Sequence, residues 1–151
     1  MRHSVSRIIP GRLAAGPTPL DSGDIEALAG MGIRTIVTLT EQPLTRFADI
    51  TPALLDALGL RLAHHGFADQ TAPQPEQAQA ILAALHASLR MGRPAYLHCF
   101  GGSGRTGTIL HLLLLGAGLP WEATRRLIRQ RRPQCLRLTP EQDAFARQWA
   151  G

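Results

Sequence analysis

Apolar positions along this chain fall into two kinds of stretch that alternate. Short apolar or β-branched runs come at Ile33 to Leu39 (IRTIVTL), Arg61 to Phe67 and Pro94 to His98, and each predicts a strand. Two briefer extended pieces, Ser4 to Ile9 and Arg12 to Ala15, flank a Pro10-Gly11 turn. Between the runs lie helical patterns. Asp21 or Ser22 is placed to cap a helix through Met31, and Pro52 to Leu58 predicts a short helix ending at Gly59. From Pro75, PEQAQAILAALHASLRMG sets Ala78, Ile81, Leu82, Leu85 and Leu89 at helical spacing, with proline suited to the first turn. An apolar helix opens near Arg105, and helices over Pro120 to Arg132 and Pro140 to Trp149 follow, the last with a capping box of Thr139 and Gln142. The loop holding Glu41, Pro43 and Arg46, and the segment DQTAPQP from Asp69 to Pro75, carry too many turn formers for regular structure.

Strands alternating with helices, then a helical C-terminal third, predict an α/β fold with a mostly parallel sheet of about four to five strands and helices on both faces. At 151 residues the chain fits one domain spanning 1–151. Ligands of such folds sit beyond the carboxyl ends of strands, where a loop meets a helix.

Composition narrows the function classes. All 16 basic side chains are arginine, against 11 acidic ones, and the resulting net charge of +5 suits anionic ligands. Biased composition is the preferred reason for the missing lysine. The run RRLIRQRR, Arg125 to Arg132, is read as a solvated face near a helix C-terminus, and aromatic residues there are too sparse for nucleic-acid stacking. His111 reads as a core histidine, and His64 and His65 as strand-end residues. Two cysteines make neither a disulfide framework nor a zinc pattern, so a reducing, cytoplasmic setting without metal or cofactor is expected. The longest apolar stretch, Ile109 to Leu119, is well short of the roughly 20 residues that cross a bilayer, which predicts a soluble protein. The first residues share the Arg and Ser content of a transit peptide, but without an apolar signal core they read as folded chain.

Candidate chemistry concentrates at HCFGGSGRT, His98 to Thr106. Gly101, Gly102 and Gly104 let the backbone curl so that several N–H groups converge, and the helix opening near Arg105 adds the positive end of its dipole. That cradle suits a tetrahedral oxyanion. A thiol among such donors and beside a fixed cation favours the thiolate, which makes Cys99 a candidate nucleophile. Arg105 returns to the rim of the same loop, where its fork fits two oxygens of a phosphoryl group. A Walker loop would need a lysine, and a dinucleotide-binding loop has no use for a cysteine.

HCFGGSGRT resembles the HCxxGxxR[S/T] signature of the cysteine-dependent protein tyrosine phosphatases. The short chain, with IIPGRLAAG (Ile8 to Gly16), GIRTIVTLTEQ (Gly32 to Gln42) and a late RRP and TPEQ, is similar to the small atypical dual-specificity branch over nearly its whole length. The resemblance implies Cys99 as nucleophile, Arg105 as phosphate clamp, and Phe100, Gly101, Gly102, Ser103 and Gly104 as the source of backbone donors. It further implies Thr106 as the hydroxyl that assists thiolate departure, His98 as the residue that orders the loop, and Asp69 as general acid. Phe67-Ala68-Asp69 departs from the family's usual Ile/Val-Pro-Asp, whereas Pro73 keeps the spacing. Cys135 is a candidate disulfide partner for Cys99, as paired thiols are in some of these enzymes.

The expected activity is hydrolysis of phosphotyrosine, with phosphoserine and phosphothreonine as further substrates, by a monomer acting on phosphorylated proteins or peptides. Alternatives are a phosphoinositide or inositol phosphate phosphatase, a non-catalytic phospho-binding module and a rhodanese-like sulfur carrier. The first often places basic residues inside the loop, and this loop has none between Cys99 and Arg105.

Overall fold

The structure is a computed structural model that describes residues 4–150; Met1 to His3 of the leader-like segment lie outside the described residues. Five strands, β1 (Ser6–Ile9), β2 (Leu13–Gly16), β3 (Thr35–Thr38), β4 (Arg61–His64) and β5 (Ala95–His98), form one sheet in the order β1-β2-β5-β3-β4. Only β1 runs antiparallel to its neighbour, through the Pro10-Gly11 turn; the β2-β5, β5-β3 and β3-β4 pairs are parallel. The α/β architecture expected from the alternating pattern is therefore the observed one. β5 is the central strand, and all four of its residues are buried.

Helices cover both faces. Successive β5 side chains point to opposite sides, so Tyr96 joins Ala14, Ile25, Leu28 and Ile36 in one apolar layer under α1 (Ser22–Gly30) and α2 (Pro52–Ala57). Ala95 and Leu97 join Ile81, Leu85, Ile109 and Leu113 in the other, beneath α3 (Pro75–Arg90), α4 (Gly104–Gly116), α5 (Trp121–Arg131) and α6 (Pro140–Ala150). Buried on most sides between sheet and helices, α4 is apolar almost throughout, and His111 on it is a core residue, as expected. Its Nδ1 donates to Gly107 O at 2.6 Å, and its ring packs on Trp121. Asp21 caps α1 by accepting from Asp24 N at 2.9 Å, the reciprocal Thr139–Gln142 bonds start α6, and proline opens α2, α3 and α6. No helix among the described residues is long and apolar enough to cross a membrane.

Candidate active site

β5 delivers Cys99 to the carboxyl edge of the sheet, and α4 begins at Gly104, leaving Phe100 to Ser103 as the turn between them. Four consecutive carbonyls, from Cys99 to Gly102, are tied back. His98 Nδ1 donates to Cys99 O at 2.9 Å, and Thr18 N to Phe100 O at 3.0 Å. Arg132 Nη2 reaches Gly101 O at 3.4 Å and its Nε reaches Gly102 O at 2.8 Å, where the Cys135 thiol also donates at 3.3 Å. Every described peptide bond is trans, so each carbonyl opposes the N–H that follows it. Holding these oxygens behind the loop turns the N–H groups of Phe100, Gly101, Gly102 and Ser103 to the other side. Among the described residues, no acceptor meets the N–H groups of residues 101 to 105. Gly102 is obligatory in this shape: its φ is +72°, and a Cβ there would collide with Gly16 and the Arg132 guanidinium.

Cys99 is 3% exposed, and the Thr106 hydroxyl donates to its Sγ at 3.1 Å. Arg105 is only 2% exposed and is anchored through one nitrogen. Its Nη1 donates to Glu41 Oε1 at 2.5 Å and to Phe67 O at 3.0 Å. Nε is buried with no hydrogen-bond partner, and Nη2 makes no hydrogen bond either, so the paired edge of the fork holds no hydrogen bond. Asp69 stands beside that edge, with Oδ1 at 3.4 Å from Nε. Glu41, the other carboxyl beside Arg105, is held below the usual carboxylate range by its own backbone N–H and then by Arg105. A carboxyl kept ionised in this way is suited to orienting the arginine. A cleft of about 390 Å³ is lined by Thr40, Glu41, Gln42, Arg46, Asp69, Phe100 and Arg105.

The loop carrying Asp69 is pinned from α6. Thr139 Oγ1 donates to Gln70 O at 3.0 Å, Gln142 Nε2 to Thr71 O at 3.1 Å, and Ala72 N to Glu141 Oε2 at 2.5 Å. Gln142 is fully buried and also packs on Gly104, where a Cβ would stand 3.1 Å from its Oε1. One side chain therefore couples the Asp69 loop to the start of α4. Its sequence signal was a helix cap, which gives no sign of this reach.

Arg132 departs from the reading of residues 125–132 as a solvated face. Pro133 disfavours helical backbone at the residue before it, so α5 stops and Arg132 takes φ −153°, ψ 82°. Its side chain turns inward, 3% exposed, and besides the two loop carbonyls holds Ser4 O at 2.6 Å and Ser6 Oγ at 3.0 Å. Arg125 is half-buried and donates to Leu136 O, while Arg126, Arg129 and Arg131 are exposed as expected. Cys99 and Cys135 are both free thiols, and burial pushes the Cys135 thiol up to about 12. His64 sits at the β4 end and its Nε2 donates to Thr40 O at 2.7 Å, consistent with a strand-end role.

His98 is fully buried beneath the loop. Because the Cys99 carbonyl can only accept, Nδ1 carries the proton, and Nε2 accepts from the Thr38 hydroxyl at 2.8 Å. Burial is the main cause that lowers its pKa from 6.5 to about 4, so the ring is neutral at pH 7. The unfolded chain binds this proton more readily than the folded one. Stability should thus be complete above pH 6.5 and fall as the pH drops through the window down to about 4, by up to about 3 kcal/mol from this residue. Urea titrations at stepped pH should show that slope, and His98→Asn should flatten it. An unchanged slope in the variant would remove His98 from the account.

A Cys-x5-Arg loop between a central parallel strand and a buried helix, on this sheet order, defines a cysteine-dependent phosphatase fold. A family model, PTP-SAK (Swiss Army Knife protein, DSP-PTPase phosphatase domain), matches residues 2–147, and the chain belongs to that family. Among solved structures, Tk-PTP in its active form is similar at 27% identity and TM-score 0.82, over 99% of this chain and 98% of that one. PTPMT1 in complex with PI(5)P shares the fold at 18% identity and TM-score 0.82, covering 97% and 94% of the two chains. Human DUSP28 shares it at 18% identity and TM-score 0.76, covering 97% and 93%.

Proposed function

We propose that the chain, acting as one catalytic domain over residues 1–151, is a metal-independent protein phosphatase that hydrolyses phosphotyrosine, with phosphoserine and phosphothreonine as further substrates. The observation that supports this reading is the Cys-x5-Arg loop at the carboxyl edge of the sheet, with the Thr106 hydroxyl 3.1 Å from Cys99 Sγ and Asp69 Oδ1 3.4 Å from Arg105 Nε. The thiolate attacks phosphorus, an S–P bond forms, the ester P–O bond breaks, and Asp69 gives its proton to the departing oxygen. Water then attacks the phosphocysteine and loses a proton to Asp69. The P–S bond breaks, and the Thr106 hydroxyl stabilises the returning thiolate across the 3.1 Å contact. Two free thiols fit a reducing, cytoplasmic compartment.

Phosphoinositides are disfavoured by charge. The loop has no basic side chain between Cys99 and Arg105, and the cleft wall sets Arg46 and Arg105 against Glu41 and Asp69, which leaves no surplus of positive charge for a second phosphate group. Phosphate release from a phosphopeptide panel and an inositol phosphate panel, with and without EDTA, tests the reading. Turnover of phosphotyrosyl peptides unaffected by EDTA is expected; preference for inositol phosphates, or loss of activity on chelation, would overturn it.

Asp69→Asn should lower kcat on a tyrosyl ester by about 10² to 10³-fold. The loss should shrink for a nitrophenyl ester, whose leaving oxygen needs less protonation, and the basic limb of the pH profile should disappear. Glu41→Gln should leave that limb in place and weaken substrate binding instead. If Glu41→Gln removes the limb and Asp69→Asn does not, the acid is Glu41.

A further inference from the structure

We propose that a groove beside the catalytic cleft is a substrate subsite for an apolar side chain next to the phosphoresidue; this rests on the protein phosphatase reading above. The groove measures about 400 Å³ and is lined by Pro17, Thr18, Leu20, Asp24, Phe100 and Gly101, along with Ser4. Phe100 lines both this groove and the catalytic cleft, so one residue borders the two. Among the described residues, the exposed large hydrophobic side chains are Leu20, Met91 and Phe100, at 55%, 59% and 64%. An isolated exposed leucine needs no explanation. Two of three such residues facing one groove at the edge of a phosphate-binding loop make an apolar surface where a bound polypeptide must pass.

The groove is also built to keep its shape. Thr18 N holds Phe100 O at 3.0 Å, Tyr96 Oη holds Pro17 O at 2.5 Å, and Leu20 N donates to Asp24 Oδ2 at 2.9 Å. The buried face of α1 is supplied by Ile25 and Leu28, so the fold does not require a leucine at position 20. Asp24 gives the far wall a carboxylate, which opposes an acidic side chain there. The occupant is therefore an aliphatic or aromatic residue adjacent to the phosphoresidue, with acidic neighbours rejected. An apolar surface preformed in this way adds affinity without an ordering cost.

Two series of phosphotyrosyl peptides, varying the residue before or after the phosphotyrosine among Leu, Ala and Asp, test this, with nitrophenyl phosphate as a substrate that cannot reach the groove. In one series the wild type should show kcat/KM about five- to tenfold higher for Leu than for Asp. Leu20→Asp should erase that preference while turning over nitrophenyl phosphate at the wild-type rate. Equal kcat/KM across both series, or a preference that survives Leu20→Asp, would overturn the subsite while leaving the phosphatase reading intact. Leu20→Asp impairing a short-chain phosphoinositide and no peptide would assign the groove to lipid instead. Failure of the wild type to hydrolyse nitrophenyl phosphate would overturn the phosphatase reading and the subsite with it.

Discussion

Cys99→Ser should abolish turnover, by about 10⁴-fold or more, while binding of phosphate analogues survives. A serine hydroxyl at neutral pH is protonated and far less nucleophilic than a thiolate, and among the described residues the hydrogen-bond partner of Sγ is a donor, the Thr106 hydroxyl. The shape of the loop does not depend on sulfur. It is set by donors behind the loop, namely His98, Thr18 and Arg132, none of which touches Sγ. Tungstate titrated calorimetrically into the variant should bind within a few-fold of wild type, and steady-state phosphate release should be undetectable. A serine variant keeping a tenth of wild-type turnover would mean that the thiol is not the nucleophile.

Arg105→Lys should be nearly as damaging as Arg105→Ala, each costing about 10³-fold or more in kcat/KM. The guanidinium divides its work. Nη1 is committed to Glu41 and Phe67 O, which fix the plane of the fork, and the Nε and Nη2 edge lies beside Asp69 without a hydrogen bond. A lysine ammonium placed to keep the Glu41 contact has no second nitrogen for two phosphoryl oxygens, and one placed on the phosphate abandons Glu41. Either way the charge developing in the transition state loses its bidentate partner. The loss should appear in both kcat and KM, measured with nitrophenyl phosphate to keep peptide contacts out of the comparison. A lysine variant with most of its kcat would show that charge alone suffices and that Arg105 is not a clamp.

Much of the site is legible in sequence because it is local. His98, Cys99, Arg105 and Thr106 lie within nine residues of each other, and a strand end, a glycine turn and a helix start leave few ways to arrange them. Strand positions were legible from apolar runs, but their lengths were not. Ile33 and Leu39 are both buried, yet β3 pairs only over Thr35 to Thr38, because its partners β4 and β5 end at His64 and His98. Burial outlasts pairing, and sequence reports burial.

What stayed hidden acts over long sequence distance. Arg132 is separated from Gly102 by 30 positions and from Ser4 by 128, and in sequence it is one more arginine in a basic run. The pair Arg132-Pro133 was the available signal, since it forces the helix to stop and the side chain to turn. Gln142 was legible as a cap of α6, but its bond to Thr71 spans 71 positions. Asp69 itself was placed on a departing motif, and what brings its Oδ1 to 3.4 Å from Arg105 is a loop held by Thr139, Glu141 and Gln142 from the far end of the chain.

The central claim is a phosphoryl group carried on the Cys99 sulfur between two chemical steps. It is tested most directly by rapid quench of the wild-type enzyme during turnover of a nitrophenyl ester, whose fast leaving group lets breakdown limit the rate, followed by peptide mass spectrometry. The account predicts a mass gain of one phosphoryl group on the peptide containing Cys99, a burst of nitrophenol matching the amount trapped, and neither in Cys99→Ser. Turnover at the same rate with no phosphoryl group on that peptide, or with the group on a histidine, would contradict it.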